Sequence, residues 1–213
     1  MSNGPALRSP LARTSPGFAF GDLVQAVQAC HRCPRMEGRT RVLSSANGPL
    51  SARILFVAEA PGRLGADVSG VPLAGDRAGR TFEALLAAGG FERNMVFITN
   101  AVLCNPRDDA GRNDRPTGRE VANCGTHLDK LIRVVHPDWV VTLGAAALDA
   151  VGRIAPHGLV LARDVGQPTL WNSRQLVPLY HPGPRALIRR PLHVQQADYQ
   201  RLAALVATPP ADD

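Results

Sequence analysis

The amino-acid sequence predicts a single α/β domain in which a central parallel sheet carries helices on both faces, giving three layers (α/β/α). Two features of the sequence support this prediction. Short apolar runs alternate along the chain with segments of helical periodicity, an order that is typical of parallel sheets. The runs are apolar at nearly every position, as expected of strands that are buried on both faces. The 213 residues, 45% of them hydrophobic, are enough for one such domain.

Four apolar runs are the expected strands, at residues 52–62, 95–104, 139–143 and 176–180. The first run, ARILFVAEAPG, ends in Pro-Gly, which indicates a strand that leads into a loop. Functional sites in parallel sheets lie beyond the carboxyl ends of the strands. We therefore expect residues 59–62 to lie near Asn100 and His181.

Helices are expected before, between and after these strands. The end of the first helix leads directly into a Cys-x-x-Cys pair. The sequence from Thr117 to Glu120 has the pattern of a capping box, which places a helix start at Thr117. The predicted helices cover residues 22–29, 80–90, 117–135, 144–151 and 191–207.

The chain is basic, with a formal net charge of +6 and a sequence pI near 9.9. Lys130 is the only lysine, so almost all of the positive charge is arginine. A basic surface suits a polyanion such as nucleic acid, because neutralised phosphates release bound counterions. A solvated arginine-rich surface has the same composition, so charge alone does not distinguish the two.

The two ends of the chain are expected to be disordered, at residues 1–17 and 208–213, which leaves residues 18–207 as the folded domain. Residues 1–17 lack the apolar segment of a secretion signal, and no apolar run approaches the roughly 20 residues of a membrane helix. We therefore expect a cytoplasmic, nucleoid-associated protein that is neither secreted nor bound to a membrane.

The four cysteines are candidate metal ligands. Cys30 and Cys33 form the Cys-x-x-Cys pair, and Cys104 and Cys124 follow as single residues. A disulfide framework is not expected in a reducing compartment. Four converging thiolates can hold zinc or an iron–sulfur cluster, and their spacing does not choose between the two. Four unrelated buried thiols are the alternative, but polar residues beside the pair favour a metal site.

The order of short motifs along the chain resembles the family-4 and family-5 uracil-DNA glycosylases. These motifs are C-x-x-C, AEAPG, G-x-P-x-x-G, ITNAV-x-C, a distant cysteine and HPGP, and they span residues 22–206. The resemblance implies a monomeric base-excision-repair enzyme of the uracil-DNA glycosylase fold. Such an enzyme hydrolyses the N-glycosidic bond of uracil in double- or single-stranded DNA. It also implies that Cys30, Cys33, Cys104 and Cys124 hold a [4Fe–4S] cluster, with zinc as the alternative.

The resemblance assigns base recognition to Asn100 and His181. The amide of Asn100 matches uracil O4 and N3–H, and a ring N–H of His181 would donate to uracil O2. The backbone from Ala60 onward would contact uracil closely, since Gly62 permits the approach. The alternatives are a strand-end asparagine that bonds local backbone and a histidine with a structural hydrogen bond.

Two carboxylates are candidates for the sugar side of the reaction. Glu59 stands where the family-4 motif has a glutamate that orients water or steadies the oxocarbenium ion; a structural ion pair is the alternative. Asp76 matches a candidate catalytic aspartate of family 5, and it could equally cap the helix that follows. The sequence does not decide which of the two is the main catalytic group.

A proline-rich turn after the last strand is expected to press into the minor groove of DNA. The turn consists of Pro182, Gly183, Pro184 and Arg185. Arg185, together with Arg189 and Arg190, is expected to meet phosphates.

The chain departs from family 4 in two residues and in one spacing. Ala58 replaces a glycine, and Leu73 replaces a phenylalanine that stacks on uracil. Leucine covers a base by dispersion but lacks an aromatic face, which would loosen base selection. The spacing from Ala58 to Gly79 follows family 5, so the chain is intermediate between the families. Its substrates could be uracil alone, or also hypoxanthine and other deaminated bases.

A monofunctional glycosylase is expected, because Lys130 is far from the motifs and no other lysine could form a Schiff base. Loop residues 105–116 contain no histidine, which disfavours covalent capture of the DNA. Two rival functions remain open. One is an iron–sulfur DNA-binding protein that has lost catalysis, and the other is a zinc-stabilised hydrolase of a different substrate.

Overall fold

Five strands form one sheet. Their bounds are β1 (Ile54–Ala58), β2 (Val96–Asn100), β3 (Trp139–Leu143), β4 (Thr169–Trp171) and β5 (Arg174–Leu179). The strand order is β2-β1-β3-β5-β4, and every pair is parallel except β4 with β5. The parallel sheet predicted from the sequence is confirmed, and an antiparallel strand that was not predicted extends one edge.

The computed structural model describes residues 15–208, and within that range eight α-helices cover the sheet. None of these helices has both the length and the apolar character needed to cross a bilayer. The helices are α1 (Pro16–Gln28), α2 (Ala66–Ser69), α3 (Arg77–Ala88), α4 (Gly118–Val135), α5 (Ala145–Gly152), α6 (Leu161–Asp164), α7 (Pro184–Arg189) and α8 (Leu192–Ala207).

Two helices begin earlier than the sequence predicted. Helix α1 begins at Pro16 instead of residue 22, because proline suits the first helical turn, so it extends into the expected disordered segment 1–17. Helix α3 begins at Arg77 instead of residue 80, because Asp76 is its N-cap. The rest of the expected disordered ends, 1–14 and 209–213, lies outside the described residues.

The two faces of the sheet pack into separate hydrophobic clusters, which confirms the three-layer arrangement. Leu55 and Val57 of β1 face the cluster formed with α1, α4 and α5. Phe56, between them, faces the cluster formed with α3 and α8. There it packs edge-to-face on Phe82, with ring centroids 5.4 Å apart, and stacks on Tyr199 at 6.0 Å.

The start of α4 has the predicted capping box. Thr117 Oγ1 accepts from Glu120 N at 3.3 Å, and Glu120 Oε2 accepts from Thr117 N at 2.7 Å. Arg35 donates to both carboxylate oxygens of Glu120, at 3.0 and 2.7 Å. These contacts fix the helix that carries Cys124 against the segment that follows Cys33.

Replacing Thr117 by alanine should lower the free energy of unfolding by about 1 kcal/mol, because the Glu120 N–H loses its acceptor. Chemical denaturation followed by circular dichroism measures the change. Ser15→Ala is a matched control, since Ser15 is the N-cap of α1 but its side chain accepts no hydrogen bond from the helix. Equal losses in the two variants would contradict a specific role for the capping box.

Candidate functional site

The candidate site lies at the carboxyl edge of the parallel strands. Sheet register places Ala58 beside Asn100, and Glu59 follows Ala58 directly. His181 lies two residues beyond β5, and a Cβ at Gly144, which follows β3, would be 3.4 Å from the His181 Cβ. The structure thus brings the predicted acid, amide and imidazole to one edge of the sheet.

Asn100 is almost completely buried, with 2% of its surface exposed. Its side-chain nitrogen has no hydrogen-bond partner among the described residues. The side-chain nitrogen of Asn100 therefore does not donate to local backbone, which was the alternative to base recognition. A buried amide without a partner is costly, so a ligand that accepts its hydrogen bond would be favoured there.

His181 is held in one tautomer. Gly183 N donates to its Nδ1 at 2.9 Å, so the proton of the neutral ring is on Nε2. Burial lowers the pKa of His181 to about 4, and the negative charge of Asp76 only partly opposes this shift. The ring is therefore a neutral Nε2–H donor at physiological pH.

Glu59 is partly buried where its strand ends. Burial raises the pKa of this carboxyl, and the positive charge of Arg115 partly offsets the rise. Within residues 15–208 no salt bridge involves Glu59, which argues against the alternative of a structural ion pair.

The two carboxylate oxygens of Asp76 contact different segments, the start of α3 and the loop that follows β1. Its Oδ1 accepts from Gly79 N at 2.9 Å, which is the capping role that the sequence allowed. Its Oδ2 lies 2.4 Å from where a Cβ on Gly62 would be and 2.9 Å from one on Gly65. A Cβ at Gly62 would displace the Asp76 carboxylate, and one at Gly65 would also lie 2.5 Å from the backbone oxygen of Ala74. The Asp76 carboxylate also acts electrostatically on His181.

The loop from Glu59 to Asp67, here called the β1 loop, is held by two asparagines that the sequence analysis missed. Asn105 is 1% exposed, and its Nδ2 donates to Pro61 O at 2.6 Å and to Asn113 Oδ1 at 3.0 Å. Asn113 Oδ1 also accepts from Arg63 N at 2.9 Å. Their position in a loop beside the motifs was the only signal in the sequence.

The arginine-rich loop 105–116 packs on the β1 loop. Arg107 and Asn113 pair across it, and Arg107 forms a salt bridge with Asp67 at 2.5 Å. Arg107 Nε also donates to Asn105 Oδ1 at 2.7 Å. At least one arginine of this loop is therefore engaged in supporting the site.

Two other predicted contact residues lie on the segments that border the site. Ala60 is partly buried in the β1 loop and packs against the hydrophobic cluster that includes α4. Leu73 is partly buried and packs against the opposite cluster, which includes Phe82. Leu73 has a positive φ of 47°, a conformation that is uncommon for leucine.

The predicted turn after β5 continues into helix α7, which begins at Pro184. Pro182 and Gly183 are buried, whereas Pro184 and Arg185 are exposed, so only the last two present side chains to the surface.

Arg190, just after α7, corrects the sequence analysis, and Ile188 within α7 was missed by it. Arg190, expected to meet phosphates, instead donates two hydrogen bonds of 2.5 Å to the buried carboxylate of Asp198. Arg189 is exposed and remains available for such a contact. Ile188 is 83% exposed and was not singled out from the sequence.

The four cysteines line one small cavity, together with Arg32, Met36, Glu37, Arg41 and Asn123. Three N–H groups point at their sulfurs: Arg32 Nε is 3.4 Å from Cys30, Asn123 Nδ2 is 3.5 Å from Cys33, and Leu103 N is 3.5 Å from Cys124.

The cysteine thiols influence one another electrostatically. Burial, together with the charge of Cys124, raises the pKa of Cys104 to about 12, and burial raises that of Cys124 to about 11. Among residues 15–208, no group of three or more Cys, His, Asp or Glu side chains is arranged to hold a metal ion.

The His181 ring should stay neutral down to a pH near its pKa of about 4, because protonation would place an uncompensated charge in a buried site. Imidazole ¹⁵N NMR between pH 5 and 8 should show the Nε2–H tautomer throughout. A ring that becomes protonated near its ordinary value, about 6.5, would contradict the structure.

Comparisons with known proteins identify the family of this chain. A sequence model described as the Uracil DNA glycosylase superfamily matches residues 46–203. The chain is 35% identical over 159 residues to a type-4 uracil-DNA glycosylase of Thermotoga maritima, covering 74% of this chain and 78% of the relative. It is 29% identical to a type-4 uracil-DNA glycosylase of Archaeoglobus fulgidus, covering 88% and 93% of the two chains. A type-5 uracil-DNA glycosylase of Pyrobaculum aerophilum is also 29% identical, with 82% and 87% covered. The chain belongs to the uracil DNA glycosylase superfamily.

Proposed function

We propose that this protein is a monofunctional uracil-DNA glycosylase that hydrolyses the N-glycosidic bond of uracil in DNA. The observation that carries the proposal is the buried, unpaired amide of Asn100 at the strand edge it shares with Glu59 and His181. The relatives named above support the same activity, since each is called a uracil-DNA glycosylase.

Base recognition would use the Asn100 side-chain amide, whose nitrogen has no partner, and the Nε2–H group of His181. Uracil must leave the base stack before an enzyme can read its pairing edge. The Asn100 amide then supplies a donor for O4 and an acceptor for N3–H. His181 donates through Nε2 to O2, where negative charge develops as the base departs.

Glu59 would act on the sugar side of the bond. Cleavage builds positive charge on the sugar, and a carboxylate in a partly buried site stabilises that charge more strongly than one in water. Asp76 is the second candidate carboxylate. Because Asp76 already caps α3 and lies against two glycines, we assign the main role to Glu59.

The cavity lined by Cys30, Cys33, Cys104 and Cys124 would hold a [4Fe–4S] cluster, because its four thiols can each bind one iron, and a single zinc ion is the alternative. When bound, the cluster would supply four metal–sulfur bonds that join distant segments of the chain. The N–H groups directed at three of the sulfurs are the kind of contact that stabilises thiolates there.

DNA would meet the protein at the start of α7. Pro184 and Arg185 are exposed directly after His181, and Arg189 is exposed one turn later. Arginine side chains at such a site bind phosphates without reading sequence. We propose that the enzyme acts as a monomer on double- or single-stranded DNA, and that other deaminated bases such as hypoxanthine are possible substrates.

The direct test uses labelled oligonucleotides with a single uracil, opposite guanine, opposite adenine or unpaired. Alkali then cleaves the abasic sites that a glycosylase leaves. We expect cleavage of at least one substrate by the wild-type chain. If no strand is cleaved, the protein is not a uracil-DNA glycosylase.

Glu59→Gln should slow single-turnover cleavage by about 100-fold or more while leaving DNA binding nearly unchanged. Wild-type rates should fall as pH falls through the pKa of Glu59, which burial raises above the ordinary range, and Glu59→Gln should lack this limb. Asp76→Asn is the matched comparison, because asparagine also caps helices. A more severe loss in Asp76→Asn would show that Asp76 is the main carboxylate.

Protein purified without oxygen should be brown and contain about four irons per chain. Cys33→Ala should lose the colour and most of the iron, since one of the four thiolates is gone. Metal analysis and visible absorption measure both. One zinc per chain without iron would favour the zinc alternative.

A further inference from the structure

Leu73, the residue expected to cover the base, has a left-handed backbone with a φ of 47°. For a residue other than glycine this conformation costs free energy, and it persists only where the surrounding structure enforces it. Strain of this kind is concentrated at binding and catalytic sites. The contacts that hold Leu73 in this state are therefore candidates for a functional role.

Arg93 makes the polar contacts to this strained segment. Its guanidinium donates to the carbonyl oxygen of Pro72 and, at 3.5 Å, to that of Leu73. Glu83 of α3 fixes the guanidinium through a salt bridge of 2.5 Å. The planar fork of arginine can hold several oxygens in one geometry, which lysine cannot do.

Two glycines pack closely against the same segment. A Cβ on Gly79 would lie 2.8 Å from Leu73 O, and one on Gly65 would lie 2.5 Å from Ala74 O. The backbone around Leu73 is therefore held both by Arg93 and by closely packed main chain. Without Arg93, the segment would lose its bonds to the Pro72 and Leu73 carbonyls and could relax from the left-handed state.

We propose that Arg93 is a positioning residue for base selection: it fixes the backbone of Leu73 so that the leucine side chain covers the extruded base. This inference rests on the proposed glycosylase function. It explains how a leucine, which lacks an aromatic face, can still restrict the bases that enter. A leucine side chain on a flexible backbone would discriminate poorly between bases. A leucine on a fixed backbone presents one surface to the extruded base.

The test compares single-turnover rates on oligonucleotides that contain uracil or hypoxanthine. Arg93→Ala should lower the ratio of the uracil rate to the hypoxanthine rate by about fivefold or more. Arg93→Lys should restore the ratio only in part. Arg53→Ala is the matched control, because Arg53 forms an exposed salt bridge with Asp138 before β1. Its ratio should equal that of the wild type.

A double mutant separates positioning from general stability. In a Leu73→Ala background, Arg93→Ala should have no further effect on the ratio, because the side chain that it positions is absent. An equal effect in both backgrounds would overturn the proposal, as would a loss of thermal stability with an unchanged ratio. Failure of the wild type to cleave uracil would overturn the proposed function and this inference together. Cleavage with unchanged selectivity in Arg93→Ala would overturn the inference alone.

Discussion

The parallel pairing of β1 with β2 is the constraint on which the site depends. It aligns Ala58 with Asn100, and it continues beyond the strands through bonds from Ala101 N to Ala58 O at 2.7 Å and from Val102 N to Glu59 O at 3.1 Å. Side chains alternate between the two faces of a strand, so a slip of one residue would turn Asn100 to the opposite face. The hydrogen bonds that pair β1 with β2 therefore also orient the side-chain amide of Asn100.

Beyond the strands, hydrogen bonds from side chains hold the backbone that the sheet no longer pairs. Backbone groups in a loop need partners, and in the β1 loop Asn105 and Asn113 supply them. Asn105 directly follows Cys104, a proposed cluster ligand. The same short segment thus borders the cysteine cavity and holds Pro61 of the candidate site. The Cys104–Asn105 peptide bond and the hydrogen bond from Asn105 to Pro61 therefore connect the cysteine cavity to the candidate site.

The sequence predicted those elements that carry a local signal. The apolar run of β3 and the capping box at Thr117 needed no knowledge of distant residues, and both were correct. Strand β4 is too short to show a periodicity. Asn105 and Pro61 are 44 positions apart, and Arg190 finds Asp198 only when α8 folds back, so no local pattern announces these contacts. The sequence likewise left open whether Asp76 is a catalytic group or a helix cap. In the structure one carboxylate oxygen of Asp76 caps α3, and the other lies against Gly62 in the β1 loop.

The electrostatic asymmetry of the site follows from burial. Because His181 is neutral at physiological pH, it donates a hydrogen bond without bringing a positive charge that would attract Glu59 or Asp76. The positive charge of Arg115 acts on the carboxylate of Glu59, and in the proposed reaction the field of this carboxylate would act on the sugar. In a site of low dielectric such a field is strong, and a positive charge on the imidazole would weaken it. The free-energy cost of burying an acid is therefore offset only when positive charge develops on the substrate, which makes the interaction selective for the transition state.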